Sequence, residues 1–192
     1  TAGHIFPASG CAGAVAHALR VVTKPGDKVL VQAPFFPEYI PYINDTGAQI
    51  EIIPARFEDF QINFEALEQM LQPGVAAILI NSPNNPSGVA YTGETLEKLS
   101  SLLAAKSKEL GYNLFLISDE PYREIAFGGR EIPYPARFYP HTLTCYSFSK
   151  SLSVPGERIG YVAVCPECEH AEDIVPMCGQ ISRGIGHNCP SS

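Results

Sequence analysis

The chain has 192 residues, 20 acidic side chains against 13 Lys and Arg, a formal net charge of -7 and 45% hydrophobic residues. That length fits one domain with a sizeable core, and the acidic balance without a Lys/Arg block argues against a nucleic-acid surface or a polybasic membrane patch. No apolar run approaches a membrane span, no basic-then-apolar leader opens the chain, and six scattered cysteines in a chain too large to need stapling point to a reduced, cytoplasmic setting.

His4 to Ala8 reads as a short strand. It runs through Ser9-Gly10-Cys11-Ala12-Gly13 into a small-residue helix from Ala14 to Val22. A Gly-rich turn from a strand into a helix N-terminus leaves backbone N–H groups free for a phosphate. This one has neither the G-x-G-x-x-G spacing of a dinucleotide fingerprint nor the Lys-Ser/Thr of a P-loop, so alone it reads as a tight turn built for close packing. Lys24-Pro25-Gly26-Asp27 is a turn, and the next strand, Lys28 to Gln32, delivers Pro34-Phe35-Phe36-Pro37 to its C-terminal end. In an open α/β sheet ligands bind at that edge. An aromatic there can stack on a planar ring, though a Phe pair is also ordinary core. A helix from Glu38 to Asp45 ends at Gly47, Gln49 to Pro54 is a strand, Asn63 to Leu71 a helix and Val75 to Ile80 a fully apolar strand. The turn Asn81-Ser-Pro-Asn-Asn-Pro-Ser-Gly88 follows, stiffened by Pro83 and Pro86, with asparagines able to donate hydrogen bonds to a bound group.

Thr92 is an N-cap for an amphipathic helix reaching Leu110, with Gly111 as its stop. Asn113 to Ser118 is again a continuous apolar strand and delivers Asp119-Glu-Pro-Tyr122 to the same edge, where a buried aspartate is costly unless something pairs with it. Leu143 to Ser147 is the strand that presents Lys150 among Ser147, Ser149 and Ser151. Arg158 comes eight positions later, ahead of the apolar run Ile159 to Val164. Strands and helices alternating in this way predict an α/β, three-layer fold, a mostly parallel sheet with helices on both faces.

A lysine so placed can form a Schiff base with a carbonyl. It can equally stand beside a phosphate that Arg158 holds as a planar fork and the serines hold as donors. Pyridoxal phosphate needs both at once; the plain alternative is a surface Lys and Arg bracketing a Ser/Gly/Pro loop. Ser147-Phe-Ser-Lys150 also fits the S-x-x-K nucleophile motif, but its S-D-N and K-T-G partners are missing from the sequence. Cys165-Pro-Glu-Cys168, with Cys178, Cys189, His170 and His187, offers one close ligand pair where structural zinc sites present two, so no metal is expected.

Phe36, Asn85-Pro86-Ser87-Gly88, Asp119-x-x-Tyr122 and Ser147-x-Ser149-Lys150 with Arg158 eight on are similar, in residue type, order and spacing, to the signatures of fold-type I pyridoxal-phosphate enzymes. Specifically, the chain resembles the class I/II aminotransferases of the aspartate aminotransferase superfamily over essentially its whole length. The resemblance implies that Lys150 holds pyridoxal 5'-phosphate as a Schiff base and then moves the proton at the substrate Cα. It implies that Asp119 pairs with the ring nitrogen, that Tyr122 and Asn85 hydrogen-bond the phenolic oxygen, and that Phe36 stacks on the ring. The turn at Gly10, the backbone amides of Cys11 and Ala12, the hydroxyls of Ser147 and Ser149, and Arg158 would cradle the phosphate. The expected substrates are an amino acid and a 2-oxo acid, and the expected assembly is a homodimer. Cys11-Ala12 stands where some relatives carry a hydroxyl residue, so the turn would hold phosphate through backbone N–H alone.

The chain opens at Thr1 almost directly into Ile5-Phe6 and stops at Cys189-Pro-Ser-Ser192 straight after what reads as a helix. It is therefore expected to be an internal piece. Residues 1–192 would be the cofactor-binding large domain, incomplete, without the N-terminal segment or the C-terminal small domain whose arginine grips the substrate carboxylate in the family. Arg183 is not promoted to that role, and the piece by itself is expected to be inactive or weakly active. The same scaffold also serves β-lyases, decarboxylases and pyridoxal-phosphate sensor domains of transcription regulators, so the resemblance leaves those alternatives open.

Overall fold

The computed structural model describes residues 2–186. In chain order its elements are β1 (Ile5–Ser9), α1 (Gly10–Val22), β2 (Lys28–Gln32), α2 (Tyr39–Asn44), β3 (Gln49–Ile53), α3 (Phe64–Met70) and β4 (Val75–Asn81). They continue with α4 (Gly93–Leu110), β5 (Phe115–Asp119), β6 (Thr142–Ser147), α5 (Phe148–Ser151), β7 (Ile159–Val164) and α6 (Ala171–Ile185), with short 3-10 turns between.

The strands form one seven-stranded sheet in the order β1-β7-β6-β5-β4-β2-β3. The central neighbours are parallel, and β7 alone runs antiparallel, to β6 and to β1. The expected mostly parallel α/β sheet is therefore present. The apolar runs of β2, β4, β5 and β6 are buried along nearly their whole length, as strands covered on both faces must be. Alternate side chains feed opposite layers. Val29, Val31, Leu79 and Ile117 pack against Ala14, Ala18, Leu19 and Ile43 on one face. Leu30, Ile78, Ile80 and Leu116 meet Leu67, Leu96, Leu99 and Leu103 on the other.

Local signals explain the edges of the elements. The Thr92 hydroxyl accepts from the Thr95 N–H at 3.0 Å, and Gly111 closes α4 at φ 78, ψ 15, a left-handed conformation that glycine adopts without a Cβ clash. Leu96, Leu99 and Leu103 then fall on one buried stripe of α4. Most elements differ from the sequence reading by a residue or two at their ends, and two differences bear on the site. Helix α1 starts at Gly10, so the glycine turn is its first turn, and Lys150 lies on the one-turn helix α5 rather than directly at a strand end.

Among the described residues no helix is long and apolar enough to cross a membrane, and no group of three His, Cys, Asp or Glu side chains is arranged to hold a metal. His187 and Cys189 of the cysteine-histidine set lie outside the described residues.

Candidate functional site

The carboxyl ends of β2, β4, β5 and β6 and the N-terminus of α1 meet at one edge of the sheet, the position at which open α/β sheets bind ligands. A cavity of about 280 Å³ opens there. Of the residues assigned a role at the cofactor from the sequence, every one except Gly10 lines it. Phe36 comes from the segment after β2, Asn85 from the loop after β4, Asp119 and Tyr122 from the end of β5, and Ser147, Ser149 and Lys150 from the β6–α5 junction. Cys11 and Ala12 come from the first turn of α1, and Arg158 from the residue before β7.

Asp119 is 6% exposed. The Cys11 thiol donates to its Oδ1 at 2.6 Å, and the Tyr39 hydroxyl donates to its Oδ2. Burial holds the Asp119 carboxyl above the usual carboxylate range, and these two hydrogen bonds pull it partly back. The donors respond in the complementary sense. Burial and the neighbouring Asp119 charge push Cys11 and Tyr39 well up, which keeps both protonated. Neither donor carries a charge, and no cation contacts the carboxylate among the described residues. Tyr39 was missed in the sequence, where Glu38 to Asp45 showed only as a helix. Its faint signal is its place three residues after Phe36, whose ring it meets edge-on at 5.8 Å.

A second missed relationship ties the loops. Asn81, 3% exposed, accepts from the Asn85 N–H at 2.6 Å and donates to the Asp119 carbonyl at 2.8 Å. Asn85 in turn donates to the Tyr122 hydroxyl at 3.4 Å. Burial raises the Tyr122 phenol and the Asn85 contact moderates the rise. Lys150 Nζ lies 5.9 Å from the Tyr122 ring centre and has no hydrogen bond or ion pair among the described residues. On the far side of Lys150, the Tyr146 hydroxyl meets Ser151 Oγ at 2.8 Å and donates to Glu124 at 2.9 Å, fixing the one-turn helix from below.

Arg158 closes the other end of the cavity. Its guanidinium donates to the Pro155 carbonyl at 3.0 Å and the Ser9 carbonyl at 3.4 Å and has no carboxylate partner among the described residues. Its backbone is left-handed, φ 53 and ψ 42, a strained state for a non-glycine residue. Gly10, at φ +72, leaves room for the guanidinium: a Cβ there would stand 2.5 Å from Arg158 Nη2. Gly160 is constrained likewise, since a Cβ would come within 2.8 Å of the Gly10 carbonyl carbon. The first N–H groups of α1 receive no side-chain cap from Ser9, and neither the Ser147 nor the Ser149 hydroxyl donates to a protein acceptor among the described residues. One end of the cavity thus gathers unspent donors and a cation, which suits an anion. The other end holds a buried carboxylate, and between them lies a lysine amine.

A sequence family model for "Aminotransferase class I and II" matches residues 1–188. A probable aspartate/prephenate aminotransferase of Aquifex aeolicus is 36% identical over 162 residues, 81% of this chain and 39% of the relative. A probable N-acetyl-LL-diaminopimelate aminotransferase of Bacillus subtilis is 30% identical over 82% of this chain and 39% of that protein. A crystal structure of an amino transferase from Eubacterium rectale superposes with a TM-score of 0.96 at 43% identity, covering 98% of this chain and 48% of that one. The chain spans less than half the length of each protein it matches here. Fold and sequence agree: the chain belongs to the class I and II aminotransferase family.

Proposed function

We propose that the protein is a pyridoxal-phosphate-dependent aminotransferase that moves an amino group between an amino acid and a 2-oxo acid. The family uses that cofactor. The observation that carries the reading to this chain is one of unmatched charge. A buried carboxylate with only neutral donors, Asp119, shares a cavity with Lys150 and Arg158, two cations without carboxylates of their own. A protonated ring nitrogen answers the first and a phosphate answers Arg158 and the α1 N-terminus, so the residues present fit the group.

Pyridoxal phosphate, when bound, supplies an aldehyde that accepts the amino group and a ring that spreads the electrons released at Cα. The chain's residues do the rest. Asp119 keeps the ring nitrogen protonated. Phe36 offers a ring face for packing, and Tyr122 with Asn85 donates to the phenolic oxygen. Gly10, Cys11 and Ala12 through the α1 backbone, Ser147 and Ser149 through hydroxyls, and Arg158 through its guanidinium hold the phosphate. Lys150, the amine in the cavity, would be the group that holds the cofactor's aldehyde end and moves the proton at the substrate Cα.

Residues 1–192 form the cofactor-binding large domain in this reading. A homodimer and a cytoplasmic setting go with it. Exposed Leu152, 63% accessible and two residues past Lys150, offers an apolar contact next to the site, and the five described cysteines are free thiols. The test gives full-length protein a panel of amino donors and 2-oxo acids, with Lys150→Ala in parallel. Amino transfer by the wild type and none by the variant is expected. A protein that binds the cofactor yet transfers no amino group to any acceptor sinks the proposal.

A further inference from the structure

The strongest unassigned arrangement is the pair of neutral donors on Asp119. They come from two different helices, α1 and α2, and engage different oxygens of one carboxylate, Cys11 on Oδ1 and Tyr39 on Oδ2. Tyr39 is itself 1% exposed and wedged by Phe36, edge-on, and Phe35, with its ring centre 6.4 Å away. A fully buried tyrosine hydroxyl needs a partner, and here it takes the one acceptor that the site uses. Each carboxylate oxygen has two acceptor positions. One donor on each therefore stops the carboxylate from rotating and still leaves an acceptor position free toward the cavity.

We propose that Cys11 and Tyr39 are positioning residues for the cofactor: together they hold the Asp119 carboxylate ionised and aimed, so that the acceptor offered to a pyridinium N–H is set before the cofactor arrives. This rests on the functional reading above and assigns Cys11, through its side chain, to the ring end of the cofactor rather than to the phosphate. The arithmetic of charge favours it. Without the two donors, Asp119 is a bare carboxylate at the end of a buried strand, and it takes up a proton that blocks pairing with a protonated ring nitrogen.

The other titratable groups around Asp119 do not supply what the pair supplies. Cys145 from β6 and Glu120 on the same strand end add no donor to its carboxylate. Tyr42 from α2 and Tyr122 from the following loop feel its charge without hydrogen-bonding it. Lys150 and Arg158 share the cavity and are engaged elsewhere or free.

Two measurements on the full-length protein test the idea. In cofactor-free protein, the infrared band of a protonated carboxyl that Asp119→Asn removes gives the titration midpoint of Asp119. Cys11→Ala and Tyr39→Phe should each move that midpoint up by about one pH unit, the double variant further, and Cys11→Ser should restore it. The second measurement is the pyridoxal phosphate dissociation constant against pH, from the visible band. Tyr39→Phe should weaken binding about tenfold at pH below the Asp119 midpoint and recover as pH rises through the variant's own midpoint, because alkali re-ionises Asp119. Midpoints that stay in place, or weakened binding that is flat with pH, overturn the positioning role and leave the two residues as packing. Wild type that shows no visible band overturns the aminotransferase reading instead, and the infrared titration then still decides whether the pair controls Asp119.

Discussion

Asn81 and Asp119 stand opposite each other in the parallel register of β4 and β5, and the Asn81 amide donates to the Asp119 carbonyl at 2.8 Å. Because Asn81 also accepts from the Asn85 N–H, one buried side chain fixes both loops that carry ring-facing groups. Asn81→Ala removes the side-chain partner of a backbone donor and a backbone acceptor beside the cavity, at a cost of about 2–3 kcal/mol. A drop of several degrees in Tm, together with weaker pyridoxal phosphate binding, is expected. A variant that loses stability but binds cofactor at wild-type strength shows that the loops do not need this tie.

Asp119 gives the cofactor-free protein a pH signature. Its folded-state pKa is raised by burial above the ordinary value of 3.8. A raised group contributes its stability at pH below the unfolded value, and that contribution is lost as pH climbs through the folded value. Asp119→Asn, uncharged throughout, escapes the loss. The cofactor-free variant is expected to be more stable than wild type at neutral pH, with the advantage shrinking in acid, and to bind no cofactor tightly. Urea unfolding at several pH values measures this. Equal stability at neutral pH would mean that Cys11 and Tyr39 offset the desolvation of Asp119 completely.

Next to the site, Glu120 is fully buried and pairs with Arg123, which is 8% exposed. The Arg123 guanidinium also donates to the carbonyls of Ile132, at 2.7 Å, and Pro133, and lies 3.6 Å above the Tyr134 ring. Arg123→Met leaves an unpaired charge in the core and is expected to cost about 3–5 kcal/mol. Adding Glu120→Gln should return much of that loss. A double variant no more stable than the single one refutes the pairing as the source, a question a double-mutant cycle settles directly.

Gly10→Ala tests the anion end alone. Its Cβ would meet Arg158 Nη2 at 2.5 Å in a left-handed backbone, so the guanidinium has to leave. Affinity for pyridoxal phosphate is expected to fall tenfold or more, whereas phosphate-free pyridoxal, which never used Arg158, changes little. Similar losses for both ligands would place the Arg158 effect somewhere other than the phosphate.

Much of this architecture was legible in the sequence because it rests on local rules. Continuous apolar runs marked the strands buried on both faces, and Thr92 and Gly111 marked the ends of α4 as their cap geometries require. What escaped depends on register between distant segments. Tyr39 reaches Asp119 over 80 positions and Cys11 over 108, and no spacing within either segment announces such a contact. The side chain of Cys11 was therefore passed over in favour of its backbone. The one-turn helix carrying Lys150 was too short to show a period. The reversal of β7 did leave a trace, since the stretch between β6 and β7 is shorter than a parallel crossover needs.

That reversal sets a gauge. Because β7 starts back from the rim at which β6 ends, Lys150 and Arg158 both lie in the connection of a single hairpin. The span between an anchoring amine and an anion clamp is then a property of nine contiguous residues, Lys150 to Arg158. Whatever other parts of the protein swing against the sheet, a ligand held at both points meets the same ruler before and after.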